Sequence, residues 1–212
     1  MLRIGNLWIY AIAVCCLPLL WLVSDMIFGN LGANPIEQLH IRLGDWSLRF
    51  LGITLAITPI QTISKWRGMA DYRQMFGLCA FFYASLHFIV YLWLDHGLQW
   101  SLIAVDIAES SYIWFGLLAY FILFSLAVTS PKLAKKRMGK NWKKLHRLIY
   151  LASAAAIWHY FWQLKGNLAE PLLYLLILIL LLSFRVLVWF RNRRLSQLMI
   201  PNRRSSLLPD SD

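Results

Sequence analysis

Six long apolar runs divide the chain, at about residues 7–28, 46–62, 75–94, 112–129, 145–163 and 170–190. Each has the length, about 17–25 residues, that a helix needs to cross the hydrocarbon of a bilayer. None shows the strict apolar–polar alternation of a barrel strand. The pattern therefore predicts an all-α integral membrane protein, a six-transmembrane-helix bundle. The second run is the shortest, with Arg49 near its start, and the fifth is the most polar, opening on Leu145-His146-Arg147. No internal repeat and no Gly-rich phosphate loop is evident. The domain organisation expected is one transmembrane domain over 1–195 and a disordered cytoplasmic tail over 196–212, where Arg, Ser and Asp gather beyond Pro201.

Composition agrees with the pattern. The chain has 212 residues, 59% hydrophobic and 15% charged, too little charge for a soluble domain of this size. Its eleven Trp and nine Tyr are side chains that collect where a bilayer meets water. A net charge of +11 raises nucleic-acid binding as a possibility, but the distribution excludes it. Eighteen of the 21 Lys and Arg fall in 1–6, 63–74, 130–147 and 185–212, which lie on one side of the predicted bundle. The other side keeps Arg42, Arg49 and Lys165. The positive-inside rule then puts both termini in the cytoplasm. The first run is preceded only by Arg3 and has no small-x-small site before Asp25, so it reads as a retained span and not a cleaved leader. Cys15, Cys16 and Cys79 all sit in apolar runs without a CxxC pair, which gives neither a disulfide framework nor a metal spacing.

Two histidines break the apolar runs. An ionisable side chain at the centre of a membrane helix costs about 2.5 kcal/mol or more, which makes His87 and His159 functional candidates. Imidazole is the usual protein ligand of haem iron. His87 lies thirteen residues above Gln74 at the start of the third run, and His159 fourteen above Leu145 at the start of the fifth. At about 1.5 Å per residue both reach about 20 Å above the cytoplasmic boundary, the outer half of a core about 30 Å thick. Equal depth on facing helices is what a haem b held by two axial histidines requires. Ala80 and Ala84 below His87, and Ala152, Ala155 and Ala156 below His159, either leave room for a porphyrin or let helices pack closely.

Four other polar side chains lie in or beside the predicted spans: His146, His96, His40 and Arg49. His146 is thirteen residues from His159, hence about 20 Å away along the helix and rotated by about 220°. It cannot join the outer pair, and it serves either a second, inner haem, a flavin or quinone contact, or the membrane interface beside Lys143, Lys144 and Arg147. His96 reads as a loop residue, and His40 either as a loop residue or as a cover over the outer haem edge. Arg49 near the external end of the second run pairs with a haem propionate or snorkels to headgroups. The apolar–acidic external segments 29–45 and 95–111 are candidate docking loops.

Several stretches resemble one family. Leu43-Gly44-Asp45-Trp46 with Thr54-Leu55-Ala56-Ile57-Thr58-Pro59 resembles the second-helix signature of the MsrQ (YedZ) proteins. Arg73 through Gly77-Leu78 to Leu86-His87 and Tyr91 resembles their third helix. Thr129-Ser130, Met138-Gly139-Lys140-Asn141-Trp142-Lys143-Lys144-Leu145-His146, Tyr150 and His159-Tyr160-Phe161-Trp162 resemble their fourth loop and fifth helix. Pro171-Leu172-Leu173-Tyr174 and Arg185 resemble the sixth. One departure is Gln74, where the family tends to carry a second Arg after the position of Arg73.

The resemblance implies a member of the ferric-reductase-like transmembrane group in a bacterial inner membrane. It implies haem b, one or two per chain, with flavin mononucleotide also reported for the family, and functional histidines at His87, His146 and His159. The implied role is a redox subunit and not the catalytic one. Electrons would pass from the quinone pool, directly or through a flavin, to a periplasmic molybdopterin methionine sulfoxide reductase that repairs oxidised proteins. Two readings compete: a ferric reductase or oxidase of the same group with a separate flavin donor, and a haem-free transporter or scaffold.

Overall fold

The structure is a computed structural model that describes residues 4–66, 68–163 and 168–198. Among the described residues every regular element is helical. In chain order they are α1 (Ile4–Ile27), α2 (Pro35–Ser64), α3 (Met69–Ile89), α4 (Trp100–Glu109), α5 (Ser111–Val128), α6 (Lys132–Met138), α7 (Lys140–His146), α8 (Ile149–Gln163) and α9 (Ala169–Leu198). A π-helical turn, Val90–Asp95, prolongs α3. Arg3, Arg67 and Lys165 of the charge count, and the expected tail from residue 199, lie outside the described residues.

Among the described residues, four segments are long and apolar enough to cross a membrane: Ile9–Ile27, Asp71–Asp95, Ser111–Val128 and Ala169–Arg194. The helices at the second and fifth predicted runs are α2, which carries Glu37, Arg42, Asp45 and Arg49 in its first half, and α8, which has only 15 residues. Three boundaries differ from the hydropathy pattern. α2 starts at Pro35, well ahead of the apolar run, because the Asn34 side chain accepts the Glu37 N–H at 3.3 Å and Pro35 occupies the first turn, an N-cap with a proline that has no helical N–H to lose. The fifth run is divided, with α7 ending at His146 and α8 beginning at Ile149. The external segment 95–111, read as a loop, holds α4.

The closest helix pairings are α2 along α3 and α5 along α8, and the two pairs meet through α3 and α5. Phe50 and Tyr83, each 1% exposed, fill the α2–α3 contact with ring centres 5.3 Å apart. Ala80 and Ala152 are fully enclosed at 0%. The outer faces of α1 and α9 are lined with exposed apolar side chains such as Leu20, Trp21, Ile179 and Leu180. A contiguous apolar exterior of that extent belongs against lipid.

Candidate haem-binding site

α3 and α8 deliver His87 and His159 to the same place. Their ring centres are 6.2 Å apart, with planes crossed at 86°. Each ring is tethered through Nδ1 to a backbone carbonyl, His87 to that of His40 at 3.0 Å and His159 to that of Tyr112 at 2.9 Å. A carbonyl only accepts, so both Nδ1 atoms carry the proton and both Nε2 atoms keep a lone pair. That is the tautomer a metal needs, held by the contact that metal-binding histidines ordinarily make. With metal–nitrogen bonds of about 2 Å, two imidazoles on one ion bring their ring centres about 6 Å apart, which matches the observed separation. The residues present therefore fit a bis-histidine haem.

The rings face a cavity of about 470 Å³, walled by α2, α3, α5 and α8, within the range of cofactor sites, about 300–1,000 Å³. Ala84 and Ala156 both line it. Two glycines lie behind the rings. A Cβ on Gly44 of α2 would come 3.4 Å from the His87 Nδ1, and one on Gly116 of α5 would come 2.9 Å from the His159 Nδ1.

Polar groups close the outer rim. His40 meets His87 edge-on with centres 4.9 Å apart, and its Nε2 is 2.5 Å from an Asp95 carboxylate oxygen. His96 donates from Nδ1 to the Tyr91 carbonyl at 3.1 Å and its Nε2 lies 3.3 Å from Asp106, whose carboxylate accepts from the Tyr91 hydroxyl at 3.0 Å. Both histidines line the cavity. His40 belongs to α2, and His96 lies, as expected, in the short turn between the π-helical segment and α4.

His146 is elsewhere. It stacks on Trp142 with ring centres 4.0 Å apart, and its Nε2 is 3.1 Å from the Thr129 hydroxyl at the end of α5. That hydroxyl donates to the Ser125 carbonyl at 2.7 Å, so the His146 Nε2 is the donor. Its tautomer is the reverse of the other two. Arg49 is exposed and is not among the residues that line the cavity. Its guanidinium is 3.5 Å from Asp45, donates to the Tyr174 hydroxyl at 3.3 Å and covers the Trp46 ring at 4.7 Å. Tyr112, Gly116 and Asp106 were not singled out by the sequence; a glycine in the middle of an apolar helix is the signal that could have found Gly116.

Residues 11–157 match the family described as ferric reductase like transmembrane component. Over 193 residues, 91% of this chain and 92% of the relative, the sequence is 41% identical to the protein-methionine-sulfoxide reductase heme-binding subunit MsrQ of Rhodospirillum rubrum. The chain belongs to the MsrQ family. The MsrQ of Polaromonas naphthalenivorans is 43% identical over 185 residues, 85% of this chain and 84% of the relative. That of Bordetella pertussis is 41% identical over 166 residues, 77% of this chain and 81% of the relative. MsrQ-family membership together with the apolar helices described above makes this a multi-pass bacterial membrane protein.

Proposed function

We propose that the chain is the haem b electron-transfer subunit of a protein-methionine-sulfoxide reductase system. It would carry electrons outward across the inner membrane to a periplasmic, molybdopterin-containing catalytic subunit. One observation carries the reading: two imidazoles from different helix pairs, each with Nδ1 tied back to a carbonyl, stand 6.2 Å apart across a shared cavity. The relatives' description as heme-binding subunits supports it. When bound, haem would supply a one-electron couple, and His87 and His159 would hold its iron. The chain's own part is to hold those two rings, keep their Nε2 atoms unprotonated, and wall the cavity from water with Phe88, Tyr120 and Leu123. Full axial ligation favours electron transfer over oxygen chemistry.

In this reading α2 and α8 also cross the membrane, so the spans number six, the transmembrane domain takes in 1–195, and both termini are cytoplasmic. The concentration of Lys and Arg in 130–147 supports the orientation. Reduced quinone or a flavin mononucleotide donates from the cytoplasmic half, where His146 is the residue placed to contact a second cofactor. Arg49 keeps Asp45 and Tyr174 as its partners at the external end.

The test is the visible spectrum of the purified full chain, expressed with ample haem supply. A low-spin b-type Soret and α band is expected, and it is lost in His87→Ala and in His159→Ala. A wild-type spectrum in either variant rejects the axial pair. A haem-free wild-type protein rejects the conduit altogether.

A further inference from the structure

The contacts around the two rings recur at one offset. His159 follows His87 by 72 residues, Gly116 follows Gly44 by 72, and Tyr112 follows His40 by 72. Ala80 and Ala152, the two fully enclosed alanines, keep the same interval, as do Ala84 and Ala156 on the cavity wall. Each ring and its acceptor carbonyl belong to different helices, so the agreement of the tether spacing with the histidine spacing is not imposed by either alone. Around their rings, α2–α3 and α5–α8 carry the same arrangement of contacts. Few side chains are shared between the two copies, and the tether runs to a backbone carbonyl, which any residue supplies.

The physical role of the glycine follows from helix geometry. A helical carbonyl at position i points toward the N–H of i+4, and the side chain at i+4 stands over it on the same face. His40 and Tyr112 each lie four residues before a glycine. Without a Cβ at Gly44 or Gly116, an imidazole can lie against the helix and reach the second lone pair of that carbonyl. A mid-helix glycine costs about 1 kcal/mol relative to alanine, and neither of these two is used for a turn or a positive φ.

The geometry points to Gly44 and Gly116 as the positioning residues for the axial imidazoles, one in each copy of a repeated ligand-holding unit. Each seats its ring on a helix backbone so that the carbonyl four residues earlier fixes the ring plane and tautomer. The inference rests on the haem reading above. It also predicts an asymmetry. The Gly116 seat, with 2.9 Å to the ring, admits no methyl unless the ring moves, whereas the Gly44 seat, at 3.4 Å, stands at the limit between a tight and an ordinary contact.

The experiment compares Gly116→Ala, Gly44→Ala and, as a control on the same helix as Gly44, Gly52→Ala, which meets nothing within 4 Å. Each full-length protein is purified with haem, and its low-spin electron paramagnetic resonance signal and midpoint potential are measured. The anisotropy of that signal follows the angle between the axial imidazole planes. Gly116→Ala is expected to shift both signal and potential or to lose haem, Gly44→Ala to shift both by less, and Gly52→Ala to match wild type. A wild-type signal and potential in Gly116→Ala overturn the inference. So does a Gly52→Ala protein as perturbed as Gly116→Ala. Where Gly116→Ala does not accumulate as folded protein, Gly44→Ala decides, and an unaltered signal and potential in it overturn the inference. Loss of haem in His87→Ala and His159→Ala beside an unaltered Gly116→Ala defeats the positioning role alone. A wild-type spectrum in both histidine variants defeats the haem reading itself.

Discussion

The guanidinium of Arg185 on α9 donates to the backbone carbonyl of Leu55 on α2 at 2.8 Å. Leu55 stands four residues before Pro59, and proline has no N–H to complete the helical bond to that carbonyl. Inside a membrane such a group must find its partner within the protein. The same guanidinium also bonds the Tyr150 hydroxyl and lies over the Tyr150 ring at 5.1 Å, so one side chain ties α9 to both α2 and α8. Arg185→Met is expected to destabilise the fold by about 1–3 kcal/mol, the cost of leaving a buried acceptor unpaired. Pro59→Ala restores the missing N–H and should return part of that loss. Thermal unfolding in detergent, run as a double-mutant cycle, checks this; strictly additive losses would exclude the pairing.

Tyr83 on α3 donates its hydroxyl to the Cys15 carbonyl on α1 at 2.8 Å, three residues before Pro18. Tyr83→Phe keeps the ring against Phe50 and removes only this bond. A loss of about 0.5–1.5 kcal/mol in stability is expected, with the haem spectrum unchanged because Tyr83 does not line the cavity. A shifted Soret band in Tyr83→Phe would contradict the separation of the two regions.

His146→Ala should retain the haem bands that depend on His87 and His159, since its ring contacts Trp142 and Thr129 and not the cavity. The haem-to-protein ratio of this variant against wild type then counts any cofactor held at the inner end. Disappearance of the outer bands in His146→Ala would show that the two levels are not independent.

The meeting of His87 and His159 is legible in the sequence because helical rise is the same in every helix, so equal residue counts give equal depths. The helical content is legible for the same reason: apolar runs of span length leave little alternative in lipid. What hydropathy misses is whatever hydrogen bonding decides. Asn34 starts α2 inside a polar stretch, and the break at Arg147 and Leu148 lies within a run that reads as continuous. The tethers of both histidines are invisible for a different reason. Their acceptors are carbonyls, which carry no sequence identity, and the glycines that expose them look like ordinary small residues in a membrane helix. His40, read either as a loop residue or as a cover over the outer haem edge, lies on α2 because that helix starts early, and His96 keeps its turn position while the π segment after Ile89 brings it to the cavity rim.

The cavity lies in the seam between two helix pairs that are each closely packed but meet mainly through α3 and α5. A ligand gripped by one side chain from each pair is therefore a clasp, and closing it is an assembly step. If His87 and His159 hold haem as proposed, neither half would complete the coordination alone, and haem capture would report that both halves have docked in register. Stability then rises with free haem by mass action, about 2.7 kcal/mol at a hundredfold excess over the dissociation constant. Protein made under haem limitation should unfold at a lower temperature and regain the difference on adding hemin; equal melting temperatures with and without bound haem would argue against it. In the cell, such a clasp would let cofactor supply set how much of this chain survives quality control.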